Sequence, residues 1–489
     1  MGSTRVFCLK MQHAKERALR YLDYVVDELR HRGSVVFEAY PGFGKTFLGL
    51  MTIQRVGRGT YVTRTISEIK TVLEIGAKLG VEVSPLYGRM QLCTRIENAK
   101  SVEEFSALCK AMRVVGTCSE PISRELIEIV TRLRDPDELK KVARERGICI
   151  YKAHLVASLR NRCVVTTYEF VSMHSELFND LNRDVVVYDE CHALVDMAER
   201  FVVKVDRWNI LGIATSVKDA YPKLCYALRS VAKRSSSALD LLHSLEKLIE
   251  SGIEGVEIIE PLVDCFRKNL YYYDKEEDAV YLVRKPEIEL GKLRLFMTAF
   301  VPPFIVSGKS FIRVEDPPIK IPTYIDRSIT TRYQERGEDF IYRVFEVAVN
   351  HIDKECANLV VVPNKVIAEE LSRMLMSKGF RVAPPDNIDR VGAGTVVIDV
   401  AGGRATEGVT PSKELKKVIV VGMPYPPPNP VLNALSKVYG FHNVYTYIAL
   451  LRTVQAIGRL MRWGGRAVLA DRRFAHFIEK FPPWIEIET

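Results

Sequence analysis

The chain has 489 residues, 47% hydrophobic and 27% charged, enough for roughly three domains with real cores and ordinary for a globular protein. No run of 18 uncharged apolar residues occurs and MGSTRVFCLKMQ lacks the apolar core of a secretory signal, so no membrane span and a cytoplasmic location are expected. The net charge of +9 permits a polyanionic partner without requiring one, and ten cysteines in that compartment point to metal binding or buried thiols rather than disulfides.

Residues 13–31 carry apolar positions at helical spacing. Gln12, just before them, either reads an adenine edge or is a solvated side chain. A β-prone run, Ser34-Val35-Val36-Phe37, then leads through Ala39-Tyr40-Pro41-Gly42-Phe43-Gly44 into the apolar segment Phe47–Met51. The order is strand, glycine-bearing loop, helix. Ala39-x4-Gly44-Lys45-Thr46 fits the phosphate-binding loop, with alanine at the first glycine position. Gly42 and Gly44 let backbone N–H groups turn inward around phosphate oxygens at a helix N-terminus. Lys45 then reaches the β- and γ-phosphates, and the Thr46 hydroxyl ligates Mg²⁺.

Gly59 to Thr65 reads as a strand with a polar, basic end. Ligands gather at the carboxyl ends of strands in open α/β sheets. Thr63, Arg64 and Thr65 are therefore candidates for a nucleic-acid backbone contact, or simply a capped strand end. Cys93, Cys109, Cys118 and Cys149 fall in one window. The absence of a CxxC pair argues against a zinc ribbon; four thiolates suit an iron–sulfur cluster, and spacing alone leaves buried unliganded thiols open.

Cys163–Tyr168 reads as a buried strand. Asp184–Tyr188 reads as another, ending in Asp189-Glu190-Cys191-His192. Adjacent carboxylates at such an end complete a nucleotide machine: Asp189 supports Mg²⁺ and Glu190 orients or deprotonates the attacking water. Residues 206–290 read as mostly helical. Tyr271-Tyr272-Tyr273 within them offers stacking faces for bases or packs at a domain edge. Leu293–Phe296 is expected as a strand and 306–326 as a connector. From residue 330 a second α/β pattern begins, with helices over 339–352 and 365–378 and strands over 358–363, 394–400 and 418–422. Gln455, Arg459 and Arg462 share one helix face by their spacing. The two arginines either reach a γ-phosphate from a second domain or form a solvated basic face.

Together these segments resemble the XPD family of iron–sulfur superfamily 2 helicases, which includes the DinG-like proteins. The likeness runs from Gln12 to Phe474, in the family's order. It is carried by EAYPGFGKT, TRTISEI, YDECH, TTRYQERGEDF, AGGRATEGV, VGMPYPPP, QAIGRLMR and LADRRF. GRMQLC, ending at Cys93, and GICIYKA, around Cys149, resemble the family's first and last cluster-ligand segments. The implied fold is α/β, with two RecA-like parallel-sheet motor domains and with an iron–sulfur cluster domain and a helical arch domain inserted in the first. The implied boundaries are 1–87, 160–205 and 291–325 for the first motor domain, 88–159 for the cluster domain, 206–290 for the arch-like insert and 326–489 for the second motor domain.

The resemblance also implies a site. ATP and Mg²⁺ would be held by Gln12, Gly42, Gly44, Lys45, Thr46, Glu407 and Gly408, with Thr46 and Asp189 on the metal. The catalytic set would be Lys45, Thr46, Asp189, Glu190, His192, Gln455, Arg459 and Arg462. A [4Fe–4S] cluster would sit on Cys93, Cys109, Cys118 and Cys149. The implied activity is that of a monomeric 5′–3′ DNA helicase acting on single-stranded DNA and forked duplex, nucleoid-associated, in DNA repair with other repair proteins. The alternative is an ATP-driven translocase or a scaffold subunit. The chain departs from the family pattern in MTAFVPP, where a TSGTLSP-like string is usual, and in Trp463-Gly464-Gly465, which replaces an acidic-glycine turn. The insert is also short for an arch. None of these departures removes a hydrolytic residue, so ATP hydrolysis is expected ahead of processive unwinding.

Overall fold

Short runs of β-branched and apolar residues become the strands of two parallel sheets in the computed structural model. It describes residues 2–96, 105, 108–109, 112–113, 115–180, 183–200, 202–284, 290–406, 409–440 and 442–488. The chain divides into two compact units. The first holds Met1–Cys191, Glu287–Val301 and Gly308–Arg313; the second holds His192–Pro286, Pro302–Ser307 and Val314–Thr489.

In the first unit the strands are β1 (Ser34–Glu38), β2 (Gly59–Thr63), β3 (Val83–Pro85), β4 (Cys163–Thr167), β5 (Val185–Tyr188), and, after three strands that belong to the second unit, β9 (Leu293–Thr298) and β10 (Ser310–Arg313). They form one sheet in the order β10-β1-β9-β5-β2-β4-β3, with every pairing parallel. All residues of β1, β2 and β5 are buried, as in a sheet covered on both faces. Three helices matter for the site: α1 (Gly2–Arg32), α2 (Lys45–Val56) and α3 (Ile66–Leu79). A capping box starts α3, in which the Thr65 hydroxyl accepts from the Glu68 N–H while Glu68 accepts from the Thr65 N–H. Helix α2 lies close on the sheet, since a Cβ at Gly49 would stand 2.7 Å from the Tyr61 ring.

The second unit begins with the insert. Its strands β6 (Val202–Val205), β7 (Tyr271–Asp274) and β8 (Ala279–Val283) make a small antiparallel sheet in the order β6-β8-β7. Helices Arg207–Ser216, Pro222–Arg234, Ala238–Glu250 and Glu260–Arg267 pack around Ile210, Leu224, Leu228, Leu242, Leu245 and Val280. The insert, expected as mostly helical, carries a small sheet beside its helices, because Tyr271–Asp274 and Ala279–Val283 pair as antiparallel strands around the intervening turn. Tyr271 packs against Phe266 at 5.1 Å and lies under the Lys437 ammonium at 4.5 Å, and the Tyr273 hydroxyl donates to Asp278. Those two tyrosines are spent on packing and on the hairpin.

The remaining strands are β11 (Ile321–Asp326), β12 (Ala357–Val362), β13 (Arg381–Ala383), β14 (Thr395–Val400), β15 (Leu415–Val421), β16 (Arg466–Ala470) and β17 (Ile485–Glu488). They form a second parallel sheet in the order β13-β14-β12-β15-β16-β11-β17. This corrects the expected connector over 306–326. Its end, β11, lies inside the second sheet with Ile321, Thr323 and Ile325 buried, and its earlier part supplies β10 to the first. No helix among the described residues is long and apolar enough to cross a membrane.

Candidate functional site

The glycine loop grows directly out of the first sheet. β1 lies between β9 and β10, and the ladder continues one step beyond it, with the Ala39 N–H donating to the Thr298 carbonyl at 3.0 Å. Ala39 does not have a positive φ, which explains why alanine serves where glycine is usual. Gly42 and Gly44 do need their freedom, at φ +82 and +108, and a Cβ on Gly44 would stand 2.5 Å from the Ala14 carbonyl oxygen of α1. Phe43 pins the loop from within. Its ring lies 5.4 to 5.6 Å from Phe37, Tyr21 and Tyr40, and burying it contributes about 1.5–3 kcal/mol. Lys45 opens α2, is buried, and donates to the Ala39 carbonyl at 3.2 Å. Reaching a phosphate would exchange that one bond.

Two strands away, Asp189 and Glu190 follow β5. The Asp189 N–H donates to the Val62 carbonyl of β2, and the Tyr168 hydroxyl donates to the Asp189 carbonyl at 2.9 Å. Asp189 Oδ1 accepts the Glu190 N–H at 3.0 Å, while Oδ2 accepts the Tyr61 hydroxyl at 2.6 Å. Glu190 is held at φ +48, an uncommon backbone state for a non-glycine residue and one that clusters at functional sites. Cys191 is fully buried and its N–H donates to the Met297 carbonyl of β9. The loop after β1, the Thr298 end of β9, the carboxylates after β5 and Tyr61 of β2 thus meet along one carboxyl edge.

Electrostatics mark the same place. Burial, and then repulsion by Glu190, push the Asp189 carboxyl up to about 7, with the Tyr61 bond and Lys45 opposing. A carboxyl whose folded pKa exceeds its unfolded value of about 3.9 favours the folded state at low pH, and that contribution is lost as pH rises through about 7. Asp189→Asn is accordingly expected to raise the unfolding temperature at pH 8 in EDTA, with the gain fading towards pH 4. Parallel thermal melts at the two pH values check this.

Thr63 is buried and donates to the Thr65 and Thr166 carbonyls, so it belongs to the capped strand end. Gln12 lies on α1, but its side chain is outside the described residues, as are Glu407 and Gly408. In the second unit, helix Tyr447–Gly458 ends just before a tight turn carrying Arg459 and Arg462. Arg459 donates to the Thr406 carbonyl at 2.7 Å and to the Val409 carbonyl at 2.6 Å, and Arg462 donates to the Thr410 hydroxyl at 2.8 Å. Also within this unit, Gln455 Nε2 stands 3.4 Å from His192 Nε2.

The four cysteines of the 93–149 window line one pocket of the first unit, with Arg89 and Phe105 also on its wall. Cys149 Sγ lies 3.7 Å from Glu120 Oε1, and burial pushes its thiol up to about 12. Among the described residues no group of three His, Cys, Asp or Glu side chains stands ready to hold a metal ion. The shared pocket and all-thiol donor set nonetheless have the chemistry an iron–sulfur cluster requires.

With this geometry in place, the comparisons are consistent. A DEAD_2 family model matches residues 60–206, and a Helicase C-terminal domain model matches residues 342–487. The ATP-dependent DNA helicase XPD of Sulfolobus acidocaldarius is 22% identical over 528 aligned residues, spanning 90% of this chain and 92% of that protein. A solved XPD helicase shares the fold at a TM-score of 0.65 and 18% identity, over 97% of this chain and 99% of that one. Xpd4 of S. tokodaii does so at a TM-score of 0.54 and 14% identity, over 97% and 100%. The chain is XPD/DinG-like, with a DEAD_2 domain followed by a helicase C-terminal domain. In this XPD-like chain the DEAD_2 match contains the four-cysteine window and Asp189–His192, while the C-terminal match contains Gln455, Arg459 and Arg462.

Several XPD-like site residues escaped the sequence reading. Tyr61 was only a strand residue there, and Glu68 only part of a motif, yet Glu68 accepts the Arg64 N–H and faces the charge of Glu190. Asp471, buried after β16, accepts from the Thr331 N–H and hydroxyl, the Met423 N–H and the Arg473 guanidinium. Glu120, 6% exposed in its side chain, pairs with Arg89, with Lys152 at 3.4 Å and with Arg113 at 3.9 Å. TRTISEI, which contains Glu68, and LADRRF, which contains Asp471, were the sequence signals for these residues, and neither gave them a role.

Proposed function

We propose that this chain is a DNA-dependent ATPase that moves 5′ to 3′ along single-stranded DNA and opens forked duplex, as a monomer serving DNA repair beside other repair proteins. The observation that carries the reading is the meeting of the glycine loop and the Asp189–Glu190 pair along one sheet edge. In this reading Gly42 and Gly44 present backbone N–H groups to phosphate, Lys45 contacts the β- and γ-phosphates, and Thr46 and Asp189 hold Mg²⁺. Glu190 takes or directs the proton of the attacking water. Arg459 and Arg462 neutralise charge developing on the transferred phosphoryl group, and His192 and Gln455 support them. Gln12, Glu407 and Gly408 complete nucleotide contact. DNA is held by backbone contacts and stacking, so its binding is salt-sensitive and largely indifferent to sequence. The setting is the cytoplasm, at the nucleoid.

Cys93, Cys109, Cys118 and Cys149 would hold a [4Fe–4S] cluster, which supplies a covalent brace to the domain around it. The arginines and lysine gathered on Glu120 add positive charge to that same domain. The test is a forked duplex with a 5′ tail, ATP and Mg²⁺. Strand separation by the wild-type chain, with loss of at least about 100-fold in Lys45→Ala, is the expected result. ATP hydrolysis without strand separation would favour the translocase, a reading made specific by MTAFVPP, in which Thr298 is buried and its hydroxyl engages the Phe300 backbone.

A further inference from the structure

One buried phenol holds the Asp189 carboxylate. Tyr61 stands in the middle of β2 with no exposed surface, and its hydroxyl donates to Asp189 Oδ2 at 2.6 Å, across 128 positions of sequence. Asp189 is thereby fixed at three points: Oδ2 by Tyr61, Oδ1 by the Glu190 N–H, and its carbonyl by the Tyr168 hydroxyl. The ring itself is held because α2 crosses it at Gly49, where any Cβ would stand 2.7 Å from Cε2. Asp189, on the loop after β5, therefore takes its reference point from β2, which lies beside β5.

We infer that Tyr61 is a positioning residue for the divalent cation, orienting the Asp189 carboxylate towards the ion. This rests on the proposed ATPase reading and deepens it. A carboxylate free to rotate about its Cβ–Cγ bond must be ordered when the metal arrives; one already held by a phenol is not. Outer partners of this kind typically change metal affinity or activity by about 10–100-fold when removed.

Tyr61→Phe removes only the oxygen and keeps the buried ring. The probe is Mn²⁺ titrated into protein with ADP, with free Mn²⁺ read by electron paramagnetic resonance, so that no turnover is needed. Mn²⁺ affinity is expected to fall about 10–100-fold, while ADP affinity in EDTA stays at the wild-type value. ATP hydrolysis lost at low Mg²⁺ recovers as Mg²⁺ is raised. In an Asp189→Asn background, Tyr61→Phe adds no further loss of Mn²⁺ affinity, which a general loosening of the core would not reproduce. Wild-type Mn²⁺ affinity in Tyr61→Phe, or an equal loss of ADP affinity in EDTA, overturns the inference. Tyr61→Met, which also lacks the hydroxyl, replaces Tyr61→Phe if that protein does not fold. A wild-type chain that binds no Mn²⁺–ADP at all would instead overturn the ATPase reading itself.

Discussion

Glu190→Gln is expected to abolish ATP turnover while leaving ATP bound. A positioned general base contributes about 10²–10⁴-fold, so kcat should fall by at least about 100-fold. The amide cannot take a proton, yet it preserves the size of the side chain and leaves the backbone bond to Asp189 Oδ1 in place. The left-handed backbone at Glu190 is fixed by that bond and by the Cys191 N–H to the Met297 carbonyl, neither of which involves the substituted carboxylate. The folded edge should therefore survive. Removing one carboxylate from beside Asp189 and Glu68 also relieves repulsion, so nucleotide affinity should hold or rise. Filter binding of ATP together with single-turnover hydrolysis separates the two effects. Loss of binding in parallel with turnover would contradict the assigned role.

Cys93→Ser is expected to give a colourless protein that no longer separates strands while ATP hydrolysis persists. Cys93 shares its pocket with Cys109, Cys118 and Cys149, and a serine oxygen is a poor replacement for a thiolate on iron. The glycine loop and the Asp189–Glu190 pair are built on β1 and β5, outside the 93–149 window, so hydrolysis should be spared. Visible absorbance and iron content of protein purified without oxygen read the first half, and the forked duplex reads the second. Wild-type colour with full unwinding in Cys93→Ser would count against the cluster.

Much of the fold was legible because strands of a parallel sheet covered on both faces are continuous apolar runs. β1, β5, β12 and β15 announce themselves in this way. The loop was legible for a different reason: Gly42 and Gly44 adopt backbone states that few other residues tolerate. β11 was not, since Pro322, Tyr324 and Asp326 interrupt its apolar positions and its partners β16 and β17 lie more than a hundred residues downstream. Three-residue strands such as β3 and β13 offer too short a pattern to read. The same distance in sequence hid the supporting residues. Tyr61 acquires its role from a carboxylate 128 positions away, and Asp471 from Thr331, 140 positions earlier. Neither has a local pattern, because the chemistry that defines them exists only after the sheets form.

The most direct measurement is steady-state ATP hydrolysis by the purified wild-type chain, with and without single-stranded DNA, over a range of salt concentrations. The account predicts Mg²⁺-dependent hydrolysis that DNA of any sequence stimulates, with the stimulation fading as salt rises. Hydrolysis that DNA leaves unchanged at every salt concentration, or no hydrolysis at all, would contradict it.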